Sequence, residues 1–275
     1  MLSIYRMKIV SFQSKEAADT GRAWHGLFFR LLSQTNPELA TRIHAGSLKP
    51  FCLWPLAADA VRIAALGEEM QDALAQMATH RYGGLTFAGQ PVEVGIEKGE
   101  SIKPQELWDN FKGLSPLGNL RIQFQSPTSF RRDGVQELFP EPGLVFRSLY
   151  KKAAAYCGAW FSQEAVPSDD FTAYIRVARY ELKTLEAGFG QYKIIGCVGS
   201  AIYDCRRVTM PVARRTIALL MAITPFTGVG YKTTMGMGRV ECELEGGMET
   251  KSVAIDPTLA REAALRKKPG RVSMR

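Results

Sequence analysis

The sequence predicts an α+β protein of two ferredoxin-like domains in tandem (RRM-like, each βαββαβ), and three observations carry that prediction. The 275 residues exceed one ordinary domain of about 100 to 150 residues. The order β, α, β, β, α, β can be read along the first part of the chain. It begins again after a break marked by glycine and proline at KGLSPLGNL. The expected units are 1–115 and 119–246, followed by a basic tail at 249–275.

Each element has its own signal. Apolar residues with Arg6 and Lys8 among them make a strand at about 3–12, and no small-residue cleavage site of a signal peptide follows. Trp24, Leu27, Phe28, Leu31 and Leu32 recur at helical spacing and form the buried stripe of a helix at about 20–34. Asn36 as cap and Pro37 at the first position announce a second, short helix. Strands at about 51–56 and 61–66 follow, then a helix through EEMQDALAQMATHRYGG ended by glycine, then a paired ribbon in LTFAGQPVEVGIEKG. The second half predicts a strand at about 119–125, a helix at 142–160, strands at 171–182 and 192–205, and a helix at 210–223. Its last strand, 239–245, turns Val240, Cys242 and Leu244 inward.

Composition narrows the function. Lys and Arg number 35 against 27 Asp and Glu, a net charge of +8 that favours a polyanionic partner. Half of that excess sits in residues 249–275, which hold seven basic and three acidic groups. No apolar run approaches the roughly 18 residues of a membrane span, so no membrane partner is expected and a cytoplasmic location is. The five cysteines are odd in number and never spaced CxxC, which reads as reduced core thiols. With no carboxylate cluster either, neither metal nor cofactor is expected.

TPFTGVGYKTTMGMGRVE places Gly228, Gly230, Gly236 and Gly238 within eleven residues, with Tyr231 and Lys232 between them. A P-loop needs glycine, lysine and Ser/Thr in succession, and Tyr231 interrupts that order. The spacing is not that of a dinucleotide fingerprint either. Two readings remain: a long connection between helix and strand, or an open run of backbone amides that lies flat against anionic oxygens while Lys232 adds charge.

A helix, then GxGxxxxxGxG containing a lysine, then a closing strand resembles the CRISPR repeat-processing endoribonucleases, the sixth Cas family of the RAMP superfamily. NPELATRIHAGSLKPFCLWPL is similar to that family's first-domain segment, FQSPTSFRRDGVQELFPEPGLVFRSLYKK to the start of its second domain, and GCVGSAIYD to the strand before its last helix. The resemblance covers about residues 1–246. It implies RNA cleavage without metal, within each repeat of a precursor transcript, leaving a 2′,3′-cyclic phosphate and a 5′-hydroxyl. It also implies repeat or guide RNA as partner, and other Cas proteins of an effector complex as further candidates. A guide-RNA-binding subunit that does not cut stays open, as does the choice between monomer and homodimer.

Such cleavage needs a base for the 2′-hydroxyl, an acid for the leaving 5′-oxygen and positive charge near the phosphorus. His44 stands at the predicted end of the short helix, whose carbonyls favour an imidazolium, and Lys49 lies five residues on. By the resemblance both are catalytic. The family's tyrosine position on the first helix is held here by Phe29, which exchanges no proton. His25, one turn earlier on the same face, has two readings: a solvent-facing histidine packed on Phe29, or the second imidazole of a pair with Phe29 as a stacking surface. Arg131 and Arg132 in a predicted loop, and Arg214 and Arg215 opening the last helix, are further candidates for RNA contact with Tyr231 and the loop glycines.

Overall fold

The computed structural model describes residues 1–10 and 20–245, so the basic tail lies outside the described residues. The first half holds β1 (Leu2–Ile9), α1 (Thr20–Thr35), α2 (Pro37–Ala45), β2 (Phe51–Ala57), β3 (Ala60–Leu66), α3 (Glu68–Met77), β4 (Arg81–Phe87), β5 (Gln90–Ile102) and α4 (Pro104–Asn110). Its antiparallel sheet runs β2-β3-β1-β5-β4. That is the ferredoxin-like order with β4 added at one edge.

The second half holds β6 (Asn119–Thr128), β7 (Phe130–Arg132), β8 (Val135–Glu137), α5 (Pro142–Tyr156), α6 (Ala159–Glu164), α7 (Ser168–Thr172), β9 (Arg176–Gly188), β10 (Lys193–Asp204), α8 (Pro211–Ala222), α9 (Thr224–Thr227) and β11 (Val240–Glu245). Its main sheet runs β11-β6-β10-β9, the same order again. The chain is thus two ferredoxin-like units in tandem.

β3 is buried on both faces, which explains why its sequence is apolar at every position but Arg62. Val61, Ile63 and Ala65 pack with Trp24, Phe28 and Leu31 of α1 and Leu74 of α3. Ala64, Leu66, Cys52 and Trp54 join a second core with Leu120, Phe146, Leu149 and Ile217 of the second half. This shared apolar core fixes the two halves against each other. Arg62 crosses the same face, donating to the Pro225 carbonyl at 3.0 Å, and burial brings its guanidinium down to about 10.

Several sequence expectations shift. The glycines after α3 do not end it: the helix stops at Met77, and Gly83 and Gly84 sit in β4 at a register shift between Tyr82 and Leu85. The helix expected to reach residue 160 stops at Tyr156, because Gly158 takes φ +109° and α6 starts anew. Residues 168–172 form α7, so β9 begins at Arg176. SFRRDG is a hairpin and not a loop: Asp133 and Gly134 both have positive φ, the turn that an Asp-Gly pair favours between twisted strands. α4 was not foreseen, being only seven residues long.

The free thiols Cys52, Cys157, Cys197 and Cys205 are buried and Cys242 is half-buried; burial pushes Cys157, Cys205 and Cys242 up to about 12. Among the described residues, no helix is long and apolar enough to cross a membrane.

Candidate active site

α1 buries Trp24, Leu27, Phe28, Leu31 and Leu32, which leaves His25 and Phe29 half-buried beside the core stripe. α2 starts where Asn36 Oδ1 accepts from the Leu39 amide at 3.0 Å, and its last turn carries His44. These two helices pack side by side, and the packing brings the residues together. The Phe29 ring meets both imidazoles, 4.8 Å from His25 and 5.5 Å from His44 between ring centres. All three line one open groove of about 820 Å³, with Arg30, Thr41 and Thr86 around them.

His25 is the more constrained of the pair. Its Nδ1 lies 3.0 Å from the Thr234 carbonyl oxygen. A carbonyl only accepts, so the hydrogen bond puts the proton on Nδ1 and leaves Nε2 with a free lone pair. Burial lowers the pKa of this imidazole, and the positive charges of Lys49, His44 and Lys232 push the same way against the raising effect of the Thr234 bond. The net effect favours the neutral ring, the state a base requires. His44 is exposed at the groove's rim.

Lys49 is committed locally. Its Nζ donates to the Ile43 carbonyl at 2.5 Å and to the His44 carbonyl at 2.7 Å, closing the C-terminus of α2. The helix carbonyls expected to favour an imidazolium at His44 thus face the Lys49 ammonium instead. One of its three protons is left for a ligand.

The glycine loop differs most from expectation. Its amides are not an open run: Gly228 donates to Thr224 O, Val229 to Gly238 O, Tyr231 to Ser129 O, Gly236 to Leu53 O and Gly238 to Pro127 O, all within 2.7–3.0 Å. The Gly230 amide donates to Ser148 Oγ at 2.8 Å. Gly228 and Gly238 are buried, and Gly230 and Gly236 half-buried. The missing side chains serve the loop's own packing, where the first sheet meets the second. A Cβ on Gly228 would stand 2.7 Å from both Gly238 O and Trp54 Cζ2, at φ +54° and ψ −174°, a conformation open to glycine alone. Gly228→Ala is accordingly expected to cost about 2 kcal/mol or more of stability, read as a lower urea midpoint; an unchanged midpoint would contradict this packing role.

Tyr231 and Lys232 are the loop's half-exposed aromatic and basic side chains. Lys232, at φ +54°, lies over Phe189, Tyr192 and Tyr231 at 4.9–5.3 Å and donates to Tyr192 OH at 2.9 Å. Arg131 stacks over Tyr231 at 4.2 Å. Tyr231, Arg131 and Arg132 line a second groove, of about 380 Å³, with Arg147 and Lys151 of α5. Arg132 is paired with Glu141 at 2.6 Å and Arg147 with Asp169 at 3.1 Å. Arg147 and Lys151 were missed, although their i, i+4 spacing on a predicted helix was visible.

Arg214 and Arg215 do not reach this surface. Arg214 donates to Val208 O at 3.1 Å and Thr209 O at 2.5 Å. Arg215 lies over Trp108 at 3.9 Å and donates to its carbonyl at 2.6 Å, tying α8 to α4. Both guanidinium groups are thus engaged within the protein, Arg214 beside α8 and Arg215 on α4.

Comparison with known proteins adds the remaining information. Residues 122–240 match the family of CRISPR-associated endoribonucleases named Cas6. The Cas6 of Mycobacterium tuberculosis is 30% identical over 125 residues, 45% of this chain and 38% of that protein. The Cas6 of Streptococcus thermophilus is 24% identical over 153 residues, 55% of this chain and 62% of that one. The matched stretches thus span less than two thirds of these relatives. Among solved structures, two Cas6 product complexes, 24% and 26% identical, align with a TM-score of 0.66 over 88% of this chain and all of theirs.

Proposed function

We propose that this chain, a member of the CRISPR-associated Cas6 endoribonuclease family, cuts precursor RNA once within each CRISPR repeat, with His25 as base and His44 as acid. The observation that carries the reading is the groove in which two imidazoles meet Phe29. His25 Nε2 takes the proton of a ribose 2′-hydroxyl, and the 2′-oxygen attacks the adjacent phosphorus. The bond from phosphorus to the 5′-oxygen breaks as His44 gives that oxygen a proton, so the products are a 2′,3′-cyclic phosphate and a 5′-hydroxyl. Lys49 and Lys232 supply positive charge while the phosphorane carries its extra negative charge. Phe29 in place of a tyrosine leaves the proton exchange to the two histidines.

The RNA strand runs from this groove past Lys49 and Leu48 into the second one, where Tyr231 offers a stacking face and Arg131, Arg147 and Lys151 meet phosphates. In this reading the glycine loop contributes Tyr231 and Lys232 to binding, while its glycines hold the shape. The partners are repeat RNA and the guide RNA it yields, together with other Cas proteins, in the cytoplasm.

Labelled repeat RNA incubated with the protein in EDTA tests this. One defined cut is expected. Retention without a cut would identify a guide-holding subunit, and cleavage that requires a divalent ion would overturn the acid–base mechanism.

A further inference from the structure

Beyond the acid–base pair, the structure ties the glycine loop to the chemistry itself. A short 3₁₀ turn, Thr233–Met235, forms its centre. The Thr234 carbonyl of that turn accepts from His25 Nδ1, across 209 positions of sequence. The turn is pressed onto the start of α1 at Gly21, where a Cβ would stand 2.0 Å from Met235 O and 2.8 Å from its carbonyl carbon. Both atoms are backbone, so any side chain at residue 21 must move the turn or the helix.

Three further ties hold the turn in place. The Gly236 amide donates to Leu53 O of β2 at 3.0 Å. Trp54 Nε1 donates to Met237 O at 3.2 Å. Lys152 of α5, buried and without a carboxylate partner among the described residues, donates to Thr233 Oγ1 at 2.9 Å and to the Thr227 carbonyl, with Cys52 Sγ 3.8 Å away. Enclosing a lone ammonium is costly, and an apolar side chain of similar length would fill the same space without that cost. The lysine at 152 is explained if the register of this turn matters.

We infer that the Thr233–Met235 turn is the positioning element of the base, its Thr234 carbonyl holding His25 in the Nδ1–H tautomer with Nε2 aimed into the groove, while Gly21 and Lys152 keep the turn seated. This rests on the reading of His25 as base. A ring free to rotate or to exchange tautomers would present a protonated nitrogen to the 2′-hydroxyl for part of the time, and small displacements of a reacting group cost much of its contribution.

The test combines a double-mutant cycle with the ring ¹⁵N spectrum of His25 in the RNA-free protein. Gly21→Ala is expected to slow single-turnover cleavage of repeat RNA by about 100-fold without weakening RNA binding. In a His25→Ala background the same substitution is expected to add no further loss, because the element acts through that imidazole. The spectrum of the unaltered protein is expected to show Nδ1 protonated and Nε2 free, and Gly21→Ala to populate the other tautomer. Lys152→Met, expected to act in the same direction, carries the cycle if Gly21→Ala does not fold.

Equal losses in both backgrounds, or an Nε2–H tautomer in the unaltered protein, would overturn the inference while His25 remains the base. If His25→Ala alone cuts at the normal rate, the base assignment itself fails, and a retained Nδ1–H signal would show that the turn still holds the ring.

Discussion

His44→Ala is expected to slow single-turnover cleavage by about 100- to 10,000-fold, the span that a positioned proton donor contributes, while repeat RNA still binds. The separation follows from where the residue sits. His44 is exposed at the last turn of α2, its ring contact is the edge of Phe29, and the core residues of that helix are Leu39, Ala40 and Ile43. Removing the imidazole therefore leaves the fold intact. In the proposed reading, binding rests on the separate groove of Tyr231, Arg131, Arg147 and Lys151. A binding loss as large as the rate loss, measured by retention of labelled RNA, would make His44 a contact residue and not the acid.

The second large effect concerns His25 and its pH dependence. His25→Ala is expected to lower the same rate by about 100-fold or more. In the unaltered protein a base works only when neutral, so the acidic limb of the rate profile follows the loss of the His25 proton. Burial first, and then the positive charges of Lys49, His44 and Lys232, lower the pKa of this ring. The acidic limb of the profile should therefore lie below pH about 6.5, where a free imidazole titrates. Lys232→Met removes one of those charges and should move the limb to higher pH. A limb at or above the free value, or one that Lys232→Met leaves in place, would separate the rate from His25.

The sequence carried the architecture because local signals and global order agreed. Trp24, Leu27, Phe28, Leu31 and Leu32 all proved buried, Asn36 proved a cap, and the ferredoxin-like order recurs in both sheets. His25 and Phe29 were placed together by i, i+4 spacing alone, and the structure brings His44 against the same ring.

The glycine loop was illegible for a physical reason. A glycine that lets a ligand approach and a glycine that lets the chain's own backbone approach leave the same letter in the sequence, and only the partners of the amides distinguish them. The contacts of Arg214 and Arg215 were illegible for another reason. Their partners, Val208 and Thr209 in a loop and Trp108 in the unforeseen α4, are set by tertiary packing that charge patterning does not encode.

The division of labour between the two imidazoles can be measured with one substrate. Repeat RNA carrying sulfur in place of the scissile 5′-oxygen has a leaving group that needs no proton, so in EDTA it should be cut by His44→Ala nearly as fast as by the unaltered protein and remain uncut by His25→Ala. Equal rescue of both variants, or rescue of neither, would contradict the assignment of base and acid.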